Sequence, residues 1–463
     1  MGGGGGCVIE TISLKAYQEK VGDSVMSVNT DTYTFVSSHT IKCYNIEFSK
    51  NDTLVIPEGA NVTLEETSLT IEKETNGIDR ITVNGSLTLK EGSAITFGTI
   101  TRGANGIVVN SLNGLVMEGG DITIDTIKDG INYDDKPSIG ILINKDGSMI
   151  QKGGSINIET MEKIAFGIRA YQGGLFTQEG GLIKINTMTT EKVDGNDVGG
   201  VVAYQGGTII QHQGKIHGVT VRGYWSTLVY AYSNGSFDGS SFIQEKDGLI
   251  QVDNVENAAG VSVYSSGTFT QNGGKIAISN VSSNNIDYSA GVGIYNDSAI
   301  FNQNGGQITI SNVTSDTGAS AIGMDVYNSA RFTQNGGQIT ISNVTSDTGF
   351  TASVVINYAR FTQTGGEGSI KVSDVGDNAF GVYVTGTFNV KNLTVSGAEK
   401  SDNSVGFVSI NTDGVVNSGV VRVYGTAIKY SVDGISEIIP SPPDNNNPNF
   451  TVTDGGKYYD TAI

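Results

Sequence analysis

Apolar and polar residues alternate along most of this chain, in short runs separated by glycine pairs. The clearest instance is Phe301–Gly318, FNQNGGQITISNVTSDTG, which returns 31 residues later as Phe332–Gly349 with Thr333 in place of Asn302. Looser copies start at Met149, Phe176, Ile209, Phe242, Phe269 and Phe361. A period of two marks a strand with one buried face, and a Gly-Gly pair between two such runs marks a bend. A third run, as in GVSVY, GVGIY and GMDVY, precedes the Phe of the later copies. Three short strands per repeat, without a helical period, predict an all-β fold. That fold is a single-stranded right-handed parallel β-helix, a solenoid of about a dozen coils of roughly 27–34 residues.

Strands in a solenoid pair with their equivalents one coil on, so like side chains stack. One inward column is Met149, Phe176, Ile209, Phe242, Phe269, Phe301, Phe332, Phe361 and Phe388. Two places on stand Gln151, Gln178, Gln211, Gln244, Gln271, Gln303, Gln334 and Gln363. Amides donate and accept along the stacking direction and so satisfy one another from coil to coil. A third column, Asn254, Asn280, Asn312, Asn343 and Asp374, falls at a corner, and the repeat places it facing inward. Three of these asparagines stand in N-x-S/T triplets (Asn280, Asn312, Asn343), and an inward side chain predicts no glycan there.

The periodicity divides the chain into three parts. Residues 1–50 form a glycine tail and an N-terminal cap, 51–400 the β-helix repeats, and 401–463 late coils with the Pro/Asn-rich stretch PSPPDNNNPN and a cap. Insertions at Lys128–Ser138, Thr189–Val198 and Ser282–Ser289 follow the Asn corner, and repeat proteins place such loops on one face that is often the binding one. A solenoid has no single closed core, so a length of 463 residues does not count domains. With 28 basic and 47 acidic residues the net charge is −19, which disfavours a nucleic-acid partner. The two cysteines, Cys7 and Cys43, exclude a disulfide framework or a four-cysteine metal site but leave open a single bridge between them. No apolar run is long enough for a transmembrane helix, and no signal-peptide pattern precedes Cys7.

Candidate chemistry is sparse. Histidine is limited to His39, His212 and His217, too few and too scattered for a zinc site or a triad. Glycoside cleavage takes two carboxylates facing one sugar. The outward positions of the clear repeats are instead Thr270, Lys275, Ala277, Gln307, Thr309, Gln338 and Thr340. Asp134-Asp135 and Glu65-Glu66 are adjacent pairs that suit a solvated turn, and the loop Asp194–Gly199 departs from the calcium-loop order. No catalytic residue, metal or cofactor is therefore expected.

One outward feature recurs. The strand before each Phe ends in tyrosine, at Tyr171, Tyr204, Tyr232, Tyr264, Tyr295 and Tyr327, with Tyr358 out of step. As a stacked ladder these rings shield a turn; as a strip of amphipathic rings, backed by Arg169, Asp194 and Asn196, they suit a sugar face or a partner protein.

The unit F-x-Q-N-G-G-x-I-x-I-S-N-V resembles the repeats of bacterial autotransporter passengers and other secreted β-helix adhesins over roughly residues 50–400. FNQN and FTQN followed by GG are also similar to the F-x-x-N and G-G-A-I repeats of chlamydial polymorphic membrane proteins, although Gln307 and Lys275 stand where those have Ala. The resemblance implies a non-enzymatic cell-surface or secreted adhesin that meets a host surface protein or carbohydrate through one edge of the solenoid. It implies an extracellular or outer-membrane-associated location. The alternatives are a polysaccharide lyase or tailspike-like glycosidase, marked by acidic side chains and Arg grouped on adjacent outward positions, and a purely structural stalk.

Overall fold

The computed structural model describes residues 7–71, 74–131, 136–190, 197–223, 226–233, 239–284, 288–316, 318–365, 367–397, 404–409, 415–424, 427–429, 450–453 and 458–459, with side chains as far as residue 408. Asp134-Asp135, Asp194, Asn196 and the PSPPDNNNPN stretch lie outside the described residues. The chain divides into two compact units, Met1–Val219 and Thr220–Ile463. Each is a parallel β-solenoid, and the chain makes about 12 turns. No helix among the described residues is long and apolar enough to cross a membrane.

In the second unit a coil runs through three strands, for example Ile300–Gln303, Gln307–Ser315 and Ser320–Tyr327. Each of these strands pairs in parallel with its equivalent one coil on: the first two at 31 residues, Phe301 with Phe332 and Ile308 with Ile339, and the third at 30, Ser320 with Phe350. The Phe side chains from Phe242 to Phe361 are fully buried, and their ring centroids lie 4.9, 4.7, 4.8 and 4.9 Å apart in nearly parallel planes. That spacing is the distance between neighbouring strands, so the backbone ladder itself sets the ring stack.

The buried glutamines form the expected ladder. Nε2 of each donates to Oε1 of the Gln one coil earlier, from Gln271 to Gln244 at 3.0 Å, Gln303 to Gln271 at 3.1 Å, Gln334 to Gln303 at 2.9 Å and Gln363 to Gln334 at 3.0 Å. The second Nε2 hydrogen reaches a backbone carbonyl, as from Gln303 to Gln338 O at 3.3 Å. A polar column inside the solenoid is thereby satisfied without water.

The asparagine column is not inward. Asn280, Asn312 and Asn343 are exposed, with φ of 51°, 56° and 55°. The left-handed residue forms the corner between two strand segments and leaves the pairing register, which passes from Ser279↔Ser311 to Val281↔Val313. Asparagine tolerates that conformation better than most residues. The ladder still forms, in solvent: Asn312 Nδ2 donates to Asn280 Oδ1 at 2.9 Å and Asn343 Nδ2 to Asn312 Oδ1 at 3.0 Å. Two further exposed ladders mark other corners, Asn272–Asn304–Asn335 and Asn296–Asn328. Burial therefore does not keep a glycan from Asn280, Asn312 or Asn343, although the amide nitrogens are already engaged.

The first unit repeats this plan with aliphatic side chains replacing most of the Phe column. Leu115, Met149, Phe176 and Ile209 occupy equivalent places, and Gln151, Gln178 and Gln211 form the amide ladder. Its N-terminal part is irregular. Strand Glu10–Ser13 pairs with Tyr44–Glu47, an antiparallel hairpin joins Met26–Asn29 to Thr32–Phe35, and Leu14–Val21 is an α-helix. Ser13 Oγ caps the helix by accepting from Ala16 N at 3.1 Å, and Gly22 ends it at φ 77°. Leu14 and Tyr17 are buried, and the helix packs on the strands Glu10–Ser13, Met26–Asn29 and Tyr44–Glu47. Cys7 and Cys43 form a disulfide beside this pairing. Glu65 is held between Lys42 at 3.4 Å and Lys90 at 2.9 Å, an arrangement that uses its carboxylate structurally.

Candidate functional site

The site lies on the outer face of the strands that end in tyrosine. In Tyr288–Tyr295 the side chains of Val292 and Ile294 point into the solenoid and are fully buried, so Gly293 and Tyr295 face outward. Pairing carries this face across the second unit: Tyr230, Ser262, Gly293, Asp325, Val355 and Tyr383 make one column. Tyr232, Tyr264, Tyr295, Tyr327 and Asn357 make the next. The column expected from the sequence is present, and adjacent rings meet, Tyr232–Tyr264 at 5.7 Å and Tyr264–Tyr295 at 6.3 Å between centroids.

The tyrosines do not share one environment. Tyr327 is 41% exposed and Tyr358 73%, while Tyr232, Tyr264 and Tyr295 are half-buried. Tyr295 folds back over the sheet. A Cβ on Gly293 would sit 2.1 Å from the Tyr295 hydroxyl, so the missing side chain at that position makes room for the ring. The hydroxyl then lies 3.1 Å from that of Tyr288, whose ring meets Tyr295 edge-on at 6.4 Å. Tyr288 in turn donates to Asp325 Oδ2 at 2.5 Å.

Asp325 is 5% exposed, and its Oδ1 has no hydrogen-bond partner. Burial pushes its carboxyl up to about 7, against the opposing pull of the Tyr288 hydrogen bond. Burial first, then the neighbouring carboxyl, raises both Tyr288 and Tyr295 well above the ordinary tyrosine range. Beyond Asp325 the face becomes apolar, with Ile322, Ala352 and Val355 packed by Tyr288, Phe350, Phe380 and Tyr383.

In the first unit the equivalent column is Val108, Leu142, Arg169 and Val202, beside the pair Tyr171 and Tyr204. The Tyr171 and Tyr204 rings stack at 5.9 Å. Arg169 is 2% exposed, and its guanidinium lies 3.9 Å from the Tyr204 ring centroid, 4.9 Å from Tyr171 and 5.0 Å from Phe166. A cation held over aromatic faces is stabilised by their quadrupoles, the more so when desolvated. Tyr204 itself is fully buried, so among the predicted rings it serves packing and not an exposed strip.

The reading from sequence found the tyrosines and Arg169 but passed over Tyr288, Gly293 and Asp325. The signal for Asp325 was present: in GVSVY, GVGIY and GMDVY one outward position changes from Ser to Gly to Asp. No protein-family description, no curated protein and no solved structure matches this chain.

Proposed function

We propose that this protein is a non-enzymatic, adhesin-type binding protein that takes a glycan along the tyrosine-bearing outer face of its solenoid, at the cell surface or after secretion. The observation that carries this reading is the run of half-buried rings Tyr232, Tyr264 and Tyr295, each meeting the next at 5.7 and 6.3 Å. Rings repeated from coil to coil offer one apolar platform per coil, and an extended sugar chain repeats in the same way. Weak contacts of that kind add through effective concentration and need no deep pocket. The bridge between Cys7 and Cys43 supports an oxidising compartment. The net charge of −19 opposes phosphate polymers and leaves neutral or cationic surfaces as partners.

One observation favours the enzymatic alternative: Asp325, a buried carboxyl raised to about 7, has the character of a general acid. Its contacts are Tyr288 and, through it, Tyr295. Glycoside hydrolysis takes a second carboxylate across the sugar, and none joins this cluster among the described residues. The test is a glycan array probed with the labelled chain, with each bound glycan then incubated with the chain and sized. Binding without shortening is the expected result. Depolymerisation that disappears in Asp325→Asn would overturn the non-enzymatic reading.

A further inference from the structure

Asp325 breaks the chemistry of its surroundings. From Tyr230 to Tyr383 the other members of its column are uncharged: Tyr230, Ser262, Gly293, Val355 and Tyr383. Its neighbours in register, Gly293 and Val355, offer no side-chain donor. Among the described residues no lysine or arginine pairs with it, and Tyr288 supplies one hydrogen bond to Oδ2 while Oδ1 has none. A buried carboxyl without a cation costs the fold free energy and stabilises no repeat contact. Groups left unsatisfied inside an otherwise consistent structure are where a ligand is to be sought.

Three features specify that ligand. The vacant acceptor Oδ1 calls for a donor, and the absence of any compensating charge calls for a cation. The rings of Tyr288 and Tyr295, edge-on to each other at 6.4 Å, border the carboxyl with aromatic surface of the kind that attracts an ammonium group. The hydroxyls of Tyr288 and Tyr295 add two acceptors, and a primary ammonium has three donors to distribute. The acidic chain as a whole, at −19, raises the local concentration of cations.

We infer that Asp325, Tyr288 and Tyr295 form a subsite for the protonated amino group of an amino sugar, so that the glycan taken by this face is one with free amines. The inference rests on the glycan-binding reading and adds its specificity. Because the carboxyl is buried, the ammonium enters as a tyrosine side chain turns aside, a rotamer change that commonly accompanies binding.

Calorimetric titration with the tetramers of glucosamine and of N-acetylglucosamine, at a single pH of about 7, tests it. The parent is expected to bind the free-amine tetramer at least tenfold more tightly than the acetylated one. Asp325→Asn should lose that preference while keeping its circular dichroism, and Tyr288→Phe, which keeps the carboxyl, should retain part of it. Equal binding of the two tetramers by the parent, or an unchanged preference in Asp325→Asn, overturns the subsite and leaves the glycan reading standing. Binding of neither tetramer also overturns the subsite, while the glycan reading stands or falls on the array.

Discussion

At the scale of single residues, the fold rests on side chains that repeat from coil to coil, and the proposed ammonium subsite on one that does not, Asp325. Phe332 touches Phe301 at 4.8 Å on one side and Phe361 at 4.9 Å on the other, and is fully buried. Phe332→Ala should cost about 3–5 kcal/mol in a denaturant titration, because the stacked coils cannot collapse into the space. Gln303 sits between Gln271 and Gln334. Replacing it with Leu strips the Gln271 oxygen of its donor, at about 1–3 kcal/mol per buried group left unpaired. Asp325 predicts a pH dependence of unusual sign. Its carboxyl titrates at about 7 in the folded chain and near 3.8 when unfolded. Between those values the folded state holds a proton that the unfolded state has lost, so stability falls as pH rises through the window, by about 4 kcal/mol when the group is fully ionised. Denaturation midpoints at pH 5 and pH 8 should show the parent losing stability and Asp325→Asn losing much less; equal losses would contradict the burial of this carboxyl.

At the scale of elements, what could be read from the sequence was whatever alternates and recurs. Phe and Gln two places apart define one strand face, and eight near-copies of that spacing give strand, bend and register together. The asparagines were rightly placed at a corner but expected to face inward, and the difference has a physical reason. In Ile310-Ser311-Asn312-Val313 two apolar residues three apart both point inward, which strict alternation forbids. The left-handed Asn312 absorbs the extra residue and turns outward. The helix Leu14–Val21 occurs once and so lacks the repetition that revealed the strands. Asp325 was hidden in the same way, as a single departure in one coil. Two glycines separate packing from function at this scale. At Gly154, φ is 70° and a Cβ would lie 1.9 Å from the carbonyl oxygen of Gly120, so Gly154→Ala should disrupt coil stacking and lower the yield of folded protein. At Gly293 the obstructing atom is the far end of Tyr295, which can rotate away. Gly293→Ala should therefore keep the strand signature in circular dichroism while displacing Tyr295 and weakening glycan binding.

At the scale of the whole molecule, a solenoid coil touches chiefly its neighbours, so stability is close to a sum over coils and damage stays local. Removing residues 302–332 joins Phe301 to Thr333 in register and deletes one complete repeat of 31 residues. That deletion should fold, whereas removal of half a repeat should not. If the tyrosine face binds glycan ring by ring, affinity depends on how many of its tyrosines remain. Tyr232, Tyr264 and Tyr295 are the ones to replace because they are half-buried and mutually in contact, unlike the fully buried Tyr204. Each would be replaced by Ser, singly and together, and affinity measured for the tightest glycan on the array. Affinity should fall stepwise, with the folded triple variant weakest; a folded triple variant that binds as tightly as the parent would contradict glycan binding by this face.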